Sequence, residues 1–374
     1  MTTQLNVPGA GLHAVVIGVN RYLHLNNGGA AERVQYHGMN QLESPVPSAL
    51  RLARWLMNGR VDASAPLRTL RVLVTNPERC APDLLDADVP CVPPVFNNIR
   101  ESVFDLMHKG NEDPENKLLF YFCGHGLSYS GTDTLLAEDF GSNEWDHFQH
   151  AINVDYLLGG MSNCKAQSQL YLFDACRTDG RVYPPAPAKF GDAIVNLERL
   201  ESVDAKQVSL WASNVGNRAM GYRDGRPSVF AEAVLASLLG AAARKERNGY
   251  RISTSRLKEA IDAYVRERAP RARQVTDLRS TTLDFTIAEL QNLPVVPVTV
   301  RCDDESIRGP AQFSYWSHPK RDGDAALDTR ELADAPWHID VAAGLYDFAA
   351  EFADADLRYM LSEEIAPPYA HVYF

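Results

Sequence analysis

The sequence predicts a mostly parallel α/β sheet flanked by helices, followed by a small all-β sandwich. Three observations carry this. Apolar runs of strand length alternate with amphipathic helical stretches as far as about residue 270, the pattern of a parallel sheet covered on both faces. Two of the runs, LLFYFCGHG and SQLYLFDAC, stop abruptly, at His125 between two glycines and at Cys176. After residue 294 the segments become short, aromatic and alternating, with turn residues between them, which reads as antiparallel sheet.

In chain order, HAVVIGVN (13–20) reads as a buried strand, and PVPSALRLARWLMNG as an amphipathic helix over 45–58. LRTLRVLVTN (67–76) is the next strand. A Pro- and Asp-rich loop then leads to a helical stretch at about 95–109 and to the strand ending in CGHG. Another loop and a short helix precede SQLYLFDAC, after which 177–206 is a long connection broken by Pro and Gly. QVSLWASN (207–214) is a fifth strand, and 228–246 and 253–269 read as helices with basic C-terminal turns. LQNLPVVP serves as a linker, so the expected domains are 1–290 and 294–374. In the second, VVPVTVRC, AQFSYWS, WHIDVAAGLYDFAAEF and YAHVYF supply the strands of the sandwich.

The chain of 374 residues, 45% hydrophobic and 23% charged, has the composition of an ordinary globular protein long enough for a full core. Its N-terminal stretch lacks the basic region, apolar stretch and cleavage site of a secretion signal, and no 18-residue apolar run is present. A cytosolic protein without membrane contact is the expectation. The net charge is −11, and residues 295–374 carry 6 Lys/Arg against 15 Asp/Glu, which argues against nucleic acid as a general partner. The six cysteines, Cys80 among them, are scattered without metal-ligand spacing. HFQH (147–150) has helical i, i+3 spacing but no third ligand in view, so no metal site is expected.

Parallel sheets bind ligands at the carboxyl ends of their strands. His125 and Cys176 both stand there, and side by side they would form a histidine–thiol pair in which the imidazole takes the thiol proton. The alternatives are a buried structural cysteine and a loop histidine satisfied by backbone. Arg177 adds positive potential beside the thiol. Gly124 and Gly126 permit close backbone approach to a ligand, and the N–H of Gly126 is available to an oxyanion.

FCGHG together with FDACR resembles the caspase-like cysteine peptidases of the caspase/metacaspase superfamily, the histidine lying 51 positions before the cysteine. The likeness extends over about residues 10–270, including VVIGVNRY and WASNVGNRAMGYRDGRPSVFAEAVLASLL. It implies a caspase-like fold and a Cys-His dyad, with Cys176 as nucleophile and His125 as general base or imidazolium partner. The oxyanion would be held by the N–H groups of Gly126 and Cys176. No third acid and no organic cofactor is implied. Calcium activates some relatives, but no ligand set is defined in this chain.

The chain departs from animal caspases at two positions, with Asp174 where they carry Gln and Thr178 where they carry Gly. Strand alternation puts Asp174 on the side of Cys176, where a carboxylate attracts an Arg or Lys side chain. An acid at this position also resembles the basic-specific metacaspases. The alternative is that Asp174 pairs with a cation of its own chain, Arg177 or Arg21. WASN (211–214) is a candidate edge for pairing with an extended peptide, with Ser213 as the residue of choice, and Asp224 a candidate second acid in the pocket, although a turn aspartate before glycine commonly has only a turn role. Arg177, Arg181, Lys189, Arg199 and Lys206 make the 177–206 connection a self-cleavage candidate.

Tyr315, Trp316, Trp337 and Tyr346 either line a recognition site or fill the core of the sandwich. The two-part layout resembles bacterial caspase-like effectors of defence or cell death. In such a protein the last domain receives an activating partner or a nucleotide-like small-molecule signal, and the substrates are proteins or peptides. Alternative readings are a catalytically silent binding or scaffold protein on the same fold, and a thiol hydrolase acting on a non-peptide amide.

Overall fold

The computed structural model describes residues 3–4, 9–30, 39–58, 65–78, 89, 91–146, 148–179, 189–195, 205–216, 219–270, 274–280, 284–302, 310–333, 335–352 and 358–374. Its central sheet is built on β1 (Leu12–Gly18), β2 (Leu67–Val74), β3 (Lys117–Gly124), β4 (Ser168–Ala175), β5 (Lys206–Trp211) and β6 (Asp277–Ser280), in the spatial order β2-β1-β3-β4-β5-β6. β1 to β5 are parallel and β6 is antiparallel to β5. Two short strands, Thr3–Gln4 and Cys91–Val92, also pair with β2.

The central strands are mostly apolar because both faces are covered. Ala14 and Val16 of β1 point into one core, with α1 (Pro45–Met57), while Val15 and Ile17 point into the other, with α2 (Phe96–Glu112) and α3 (Val154–Met161). The first core also takes α4 (Val229–Ala236) and α5 (Thr254–Arg268) through Phe230, Ala233, Leu257 and Ile261. Beyond the carboxyl ends of β3 and β4 lies a small ribbon of Gly126–Tyr129, Thr132–Leu136, Ala151–Asn153 and Thr178–Asp179. No helix of the described residues is long and apolar enough to cross a membrane.

The helix expected over 228–246 is shorter. It passes through a single wide turn at Ser237–Ala241, and Ala243–Glu246 becomes a strand paired with Gly249–Ser253. The alanine-rich sequence favours helix, but tertiary packing overrides that preference. Gly240 has φ 153° and lies against the backbone of Pro294 and Val295, where a Cβ would stand 2.3 Å from the Val295 nitrogen.

From Val295 onward the chain forms two facing sheets. β7 (Val295–Arg301), β8 (Ala311–Ser317), β9 (Asp328–Ala333), β10 (Trp337–Ala342), β11 (Gly344–Phe352), β12 (Arg358–Ile365) and β13 (Ala370–Tyr373) are ordered β10-β7-β13 and β9-β8-β11-β12. One core joins them, including Val296, Val298, Phe313, Ile339 and Phe348. β9 and β12 escape sequence reading because they are mostly exposed and carry no apolar alternation. Trp337 belongs to this core, and Tyr315 and Tyr346 pack against it. Trp316 and Trp337 are each 8% exposed, and Tyr315 packs 5.9 Å from Trp337 and 5.8 Å from Tyr346, ring centre to ring centre. Trp316 faces the other side of β8, with its indole N–H donating to the Asp324 carbonyl.

Arg268 at the end of α5 joins the two parts. Its guanidinium donates to the Tyr369 hydroxyl (2.9 Å) and to the Ile339 carbonyl (2.8 Å). Gly240→Ala is expected to lower stability by about 1–3 kcal/mol in urea denaturation, because a side chain fits neither the φ nor the Val295 backbone.

Candidate active site

The register of β3 and β4 brings His125 and Cys176 together. Lys117 pairs with Ser168 and Gly124 with Ala175, a constant offset of 51 positions, and beyond the strand ends Leu127 pairs with Thr178 at the same offset. His125 and Cys176 are separated by that offset, so they stand opposite one another. They also share a face. Tyr121 and Cys123 of β3, like Leu170 and Leu172 of β4, point into the α1 side, and alternation carries His125 and Cys176 to the same side. Both line a cleft of about 880 Å³ with Asp174, Ser44, Glu43, Met220 and Arg223 on its walls.

Each glycine of CGHG makes room for a neighbour from its own chain. A Cβ on Gly124 would lie 2.7 Å from the Tyr22 hydroxyl, and one on Gly126 would lie 2.5 Å from the Cys176 carbonyl. The vacated space beside Gly126 therefore holds protein backbone and not a ligand. The Tyr22 hydroxyl accepts the His125 backbone N–H at 2.6 Å, and its ring packs 4.7 Å from the imidazole.

The imidazole Nε2 lies 2.7 Å from the Asn40 carbonyl oxygen. A carbonyl only accepts, so Nε2 carries the proton and Nδ1 is left as the bare, basic nitrogen. Burial lowers the pKa of His125 to about 4, so the ring is neutral at ordinary pH. Cys176 is a free thiol. The Ala219 backbone N–H points at its sulfur at 3.2 Å, and the next residues are held too, Met220 N–H by Gln274 (3.1 Å) and Tyr222 N–H by the Ser44 hydroxyl (2.7 Å).

Asp174 is 3% exposed and meets no cation among the described residues. Tyr121 (2.9 Å) and the Cys123 thiol (3.1 Å) donate to its Oδ2, as does Ser228, the residue that caps α4. All three of these donors fall on Oδ2, and Asp174 lines the cleft. Burial raises the pKa of Asp174, and these hydrogen bonds oppose that shift.

Several sequence expectations are revised here. Arg177 gives no free positive potential to the thiol, and it does not pair with Asp174. Alternation turns it to the opposite face, fully buried, where it grips Asp133 with two bonds (2.7 and 3.1 Å), pairs with Asp277 (2.6 Å) and lies 4.8 Å over the ring of Trp211. Ser213 is turned inward just past the end of β5. Its buried hydroxyl donates to the Ala175 carbonyl, and β6 already covers β5 as far as Trp211. Asp224 is an exposed turn residue clamped to Arg226, whose backbone N–H and Nε both donate to it, and it does not line the cleft. Arg177 is too deeply buried for cleavage after it. Arg181, Arg199, Cys80 and His147 lie outside the described residues.

Sequence reasoning passed over Tyr22, Asn40, Ser44 and Ser228. Tyr22 stands in VVIGVNRY, where its position just after a strand end was a usable signal. Asn40 acts through its carbonyl, which every residue type possesses, so its identity carries none.

Arg177→Ala would leave Asp133 buried beside a lost partner. The expected cost is about 3–5 kcal/mol of stability in urea denaturation. The lowered pKa of His125 is checked by NMR titration of its ring in Cys176→Ala protein, with a midpoint expected near pH 4; a midpoint at 6.5 would show a well-hydrated imidazole.

The sequence matches the caspase domain family over residues 12–285, well over half of the chain. It is 24% identical over 208 residues to the uncharacterized protein y4kE of Sinorhizobium fredii, a match spanning 54% of this chain and 59% of that protein's length. Among solved structures it is similar to caspase-1 from Spodoptera frugiperda, with 13% identity and a TM-score of 0.42, covering 74% of this chain and 93% of that one. By the extent of the family match, the chain belongs to the caspase domain family, whose members are generally cysteine proteases.

Proposed function

We propose that this protein is a cysteine endopeptidase that cleaves polypeptides after Arg or Lys. The observation that carries the reading is the in-register meeting of His125 and Cys176 on one cleft wall, with the imidazole proton committed to Asn40 and Nδ1 bare. In this scheme Nδ1 takes the Cys176 proton and the thiolate attacks the scissile carbonyl. The oxyanion is held by the N–H groups of Gly126 and Cys176. Collapse of the tetrahedral adduct expels the amine, which receives the proton from His125. Water, deprotonated by the same ring, then hydrolyses the thioester and restores the thiol.

Asp174 selects the basic side chain. A carboxylate with no cation among the described residues, on the face of the nucleophile, gains a charged partner when Arg or Lys enters. Latency has support in the Ala219–Tyr222 segment, which is tethered at three backbone N–H groups, one of them on the Cys176 sulfur. Withdrawal of this segment frees the thiol. The β-sandwich is the proposed receiver of the activating partner or small-molecule signal. Arg268 links it to α5, α5 packs with α4, and the α4 cap Ser228 holds Asp174. A role in defence or cell death is part of the same proposal and rests on the two-part layout.

A mixed peptide library incubated with the protein should be cut after Arg and Lys, and Cys176→Ala should cut nothing. Cuts after other residues would remove the assigned specificity, and cuts surviving in the mutant would remove the assigned nucleophile. Asp174→Asn should lower kcat/KM for Arg peptides about a hundredfold, on the scale of losing one partner of a buried charge pair. Because burial raises the pKa of Asp174, the wild-type preference for Arg should fade on acidification at a pH above the usual carboxylate range. Asp174→Asn should show no such limb.

A further inference from the structure

The His125 imidazole is gripped from two separate segments. Tyr22, in the loop after β1, accepts the His125 backbone N–H with its hydroxyl at 2.6 Å and packs its ring 4.7 Å from the imidazole. The Asn40 carbonyl accepts the Nε2 proton at 2.7 Å. A carbonyl in this place does for a Cys-His pair what a buried acid does for a Ser-His pair, fixing the tautomer and facing the imidazolium once the ring is protonated. Asn40 belongs to neither a helix nor a strand, so other contacts have to set the place of that carbonyl.

The next residue supplies the contacts. Gln41 accepts the Tyr22 backbone N–H with Oε1 at 2.7 Å, and its Nε2 donates to the Asn26 carbonyl at 2.7 Å and to the Tyr22 carbonyl at 3.3 Å. One oxygen thus faces an N–H and the amide nitrogen faces two carbonyls, an arrangement that the flipped amide would reverse into donor against donor. A circuit closes through these bonds. His125 is held by Tyr22 and by Asn40, Asn40 is joined to Gln41, and Gln41 grips both backbone groups of Tyr22. On either side the segment is secured by Met39, buried in the core, and by the Leu42 N–H on the Asn20 carbonyl at 2.8 Å. Only the Gln41 side chain ties it to the residue that holds the histidine. Glu lacks the two donors, and Asn is one methylene shorter.

We propose that Gln41 is a positioning residue for the general base, holding the Asn40 carbonyl and the Tyr22 hydroxyl at the spacing in which the imidazole is gripped from both sides and Nδ1 stays bare. The inference rests on the peptidase reading, in which that nitrogen takes the thiol proton. A loosened carbonyl acts twice against the reaction. The neutral ring then admits the Nδ1–H tautomer, which has no lone pair for the thiol proton on that nitrogen, and the imidazolium loses its acceptor. Gln41 acts through Asn40 and Tyr22. It also lines the cleft, and the experiment separates that alternative role, contact with the substrate, from this one.

The test uses full-length protein carrying Gln41→Leu, which keeps the bulk and removes the amide bonds. Gln41→Glu, which keeps only the acceptor, is the second variant and guards against a folding failure of the first. The first readout is the tautomer of His125, taken by ring-nitrogen NMR of histidine-labelled Cys176→Ala protein at about pH 7, where the ring is neutral. Its signals are identified by their absence from His125→Ala protein. The parent should hold the Nε2–H form. Either Gln41 variant should lower the ratio of Nε2–H to Nδ1–H about five- to tenfold, as expected for the loss of one ordinary hydrogen bond. The second readout is cleavage of an Arg peptide by protein with Cys176 intact. Each variant should lose about ten- to hundredfold in kcat with KM held within about twofold, the scale of a displaced catalytic group. An unmoved tautomer ratio overturns the proposal. So does a raised KM with kcat kept, which makes Gln41 a substrate contact. Because the tautomer is read without turnover, a shifted ratio beside a wild-type protein that cuts nothing removes the peptidase reading and leaves the grip of Gln41 on the ring standing. An unmoved ratio beside a wild-type protein that cuts after Arg removes only this inference.

Discussion

The pairing of β3 with β4 is the constraint on which the site depends. Two parallel strands locked at an offset of 51 positions bring His125 opposite Cys176, and a slip of one residue would turn one of the two side chains to the other face. The register is held by burial on both faces. Leu119 and Tyr121 with Leu170 and Leu172 fill one core, while Phe120 and Phe122 with Tyr171 and Phe173 fill the other. The mostly apolar interior of both strands is thus what positions the polar residues near their ends.

Just past those ends the protein buries charge in two different ways on opposite faces. On one face Arg177 is matched by Asp133 and Asp277, with Arg279 at the margin, so two cations meet two carboxylates and stacking on Trp211 completes the box. Such a group is costly to bury and costlier to break, and it ties the loop after β4 to β6 and to the ribbon. On the other face Asp174 meets only neutral donors among the described residues. A matched ion cluster suits a structural role, and a carboxylate held by neutral donors suits recognition of an incoming cation.

Much of the fold was legible because the central strands are uniformly apolar and the helices α1, α2 and α5 keep clear periodicity. The exceptions have physical causes. β9 and β12 are nearly all exposed, and the end of the 228–246 helix yields to the packing of Gly240 on Val295. Of the candidate site, the residues His125, Cys176 and Asp174, which one cleft brings together, stand out in the sequence because each combines a reactive or charged type with a strand end. Asp224 was misplaced because sequence does not reveal which cation folds back on a turn.

By itself the sequence determined the alternation of strands and helices, the change of architecture after residue 294, and the two residues proposed as base and nucleophile. These follow from local rules, since periodicity and side-chain chemistry are properties of short segments. Only the tertiary structure decided that Arg177 faces away from the thiol, that the histidine proton belongs to the Asn40 carbonyl, and that Gln41 ties the segment of that carbonyl to Tyr22. Each of those depends on residues distant in the chain meeting at one point, and the register, twist and burial that bring them there exist only in the folded molecule.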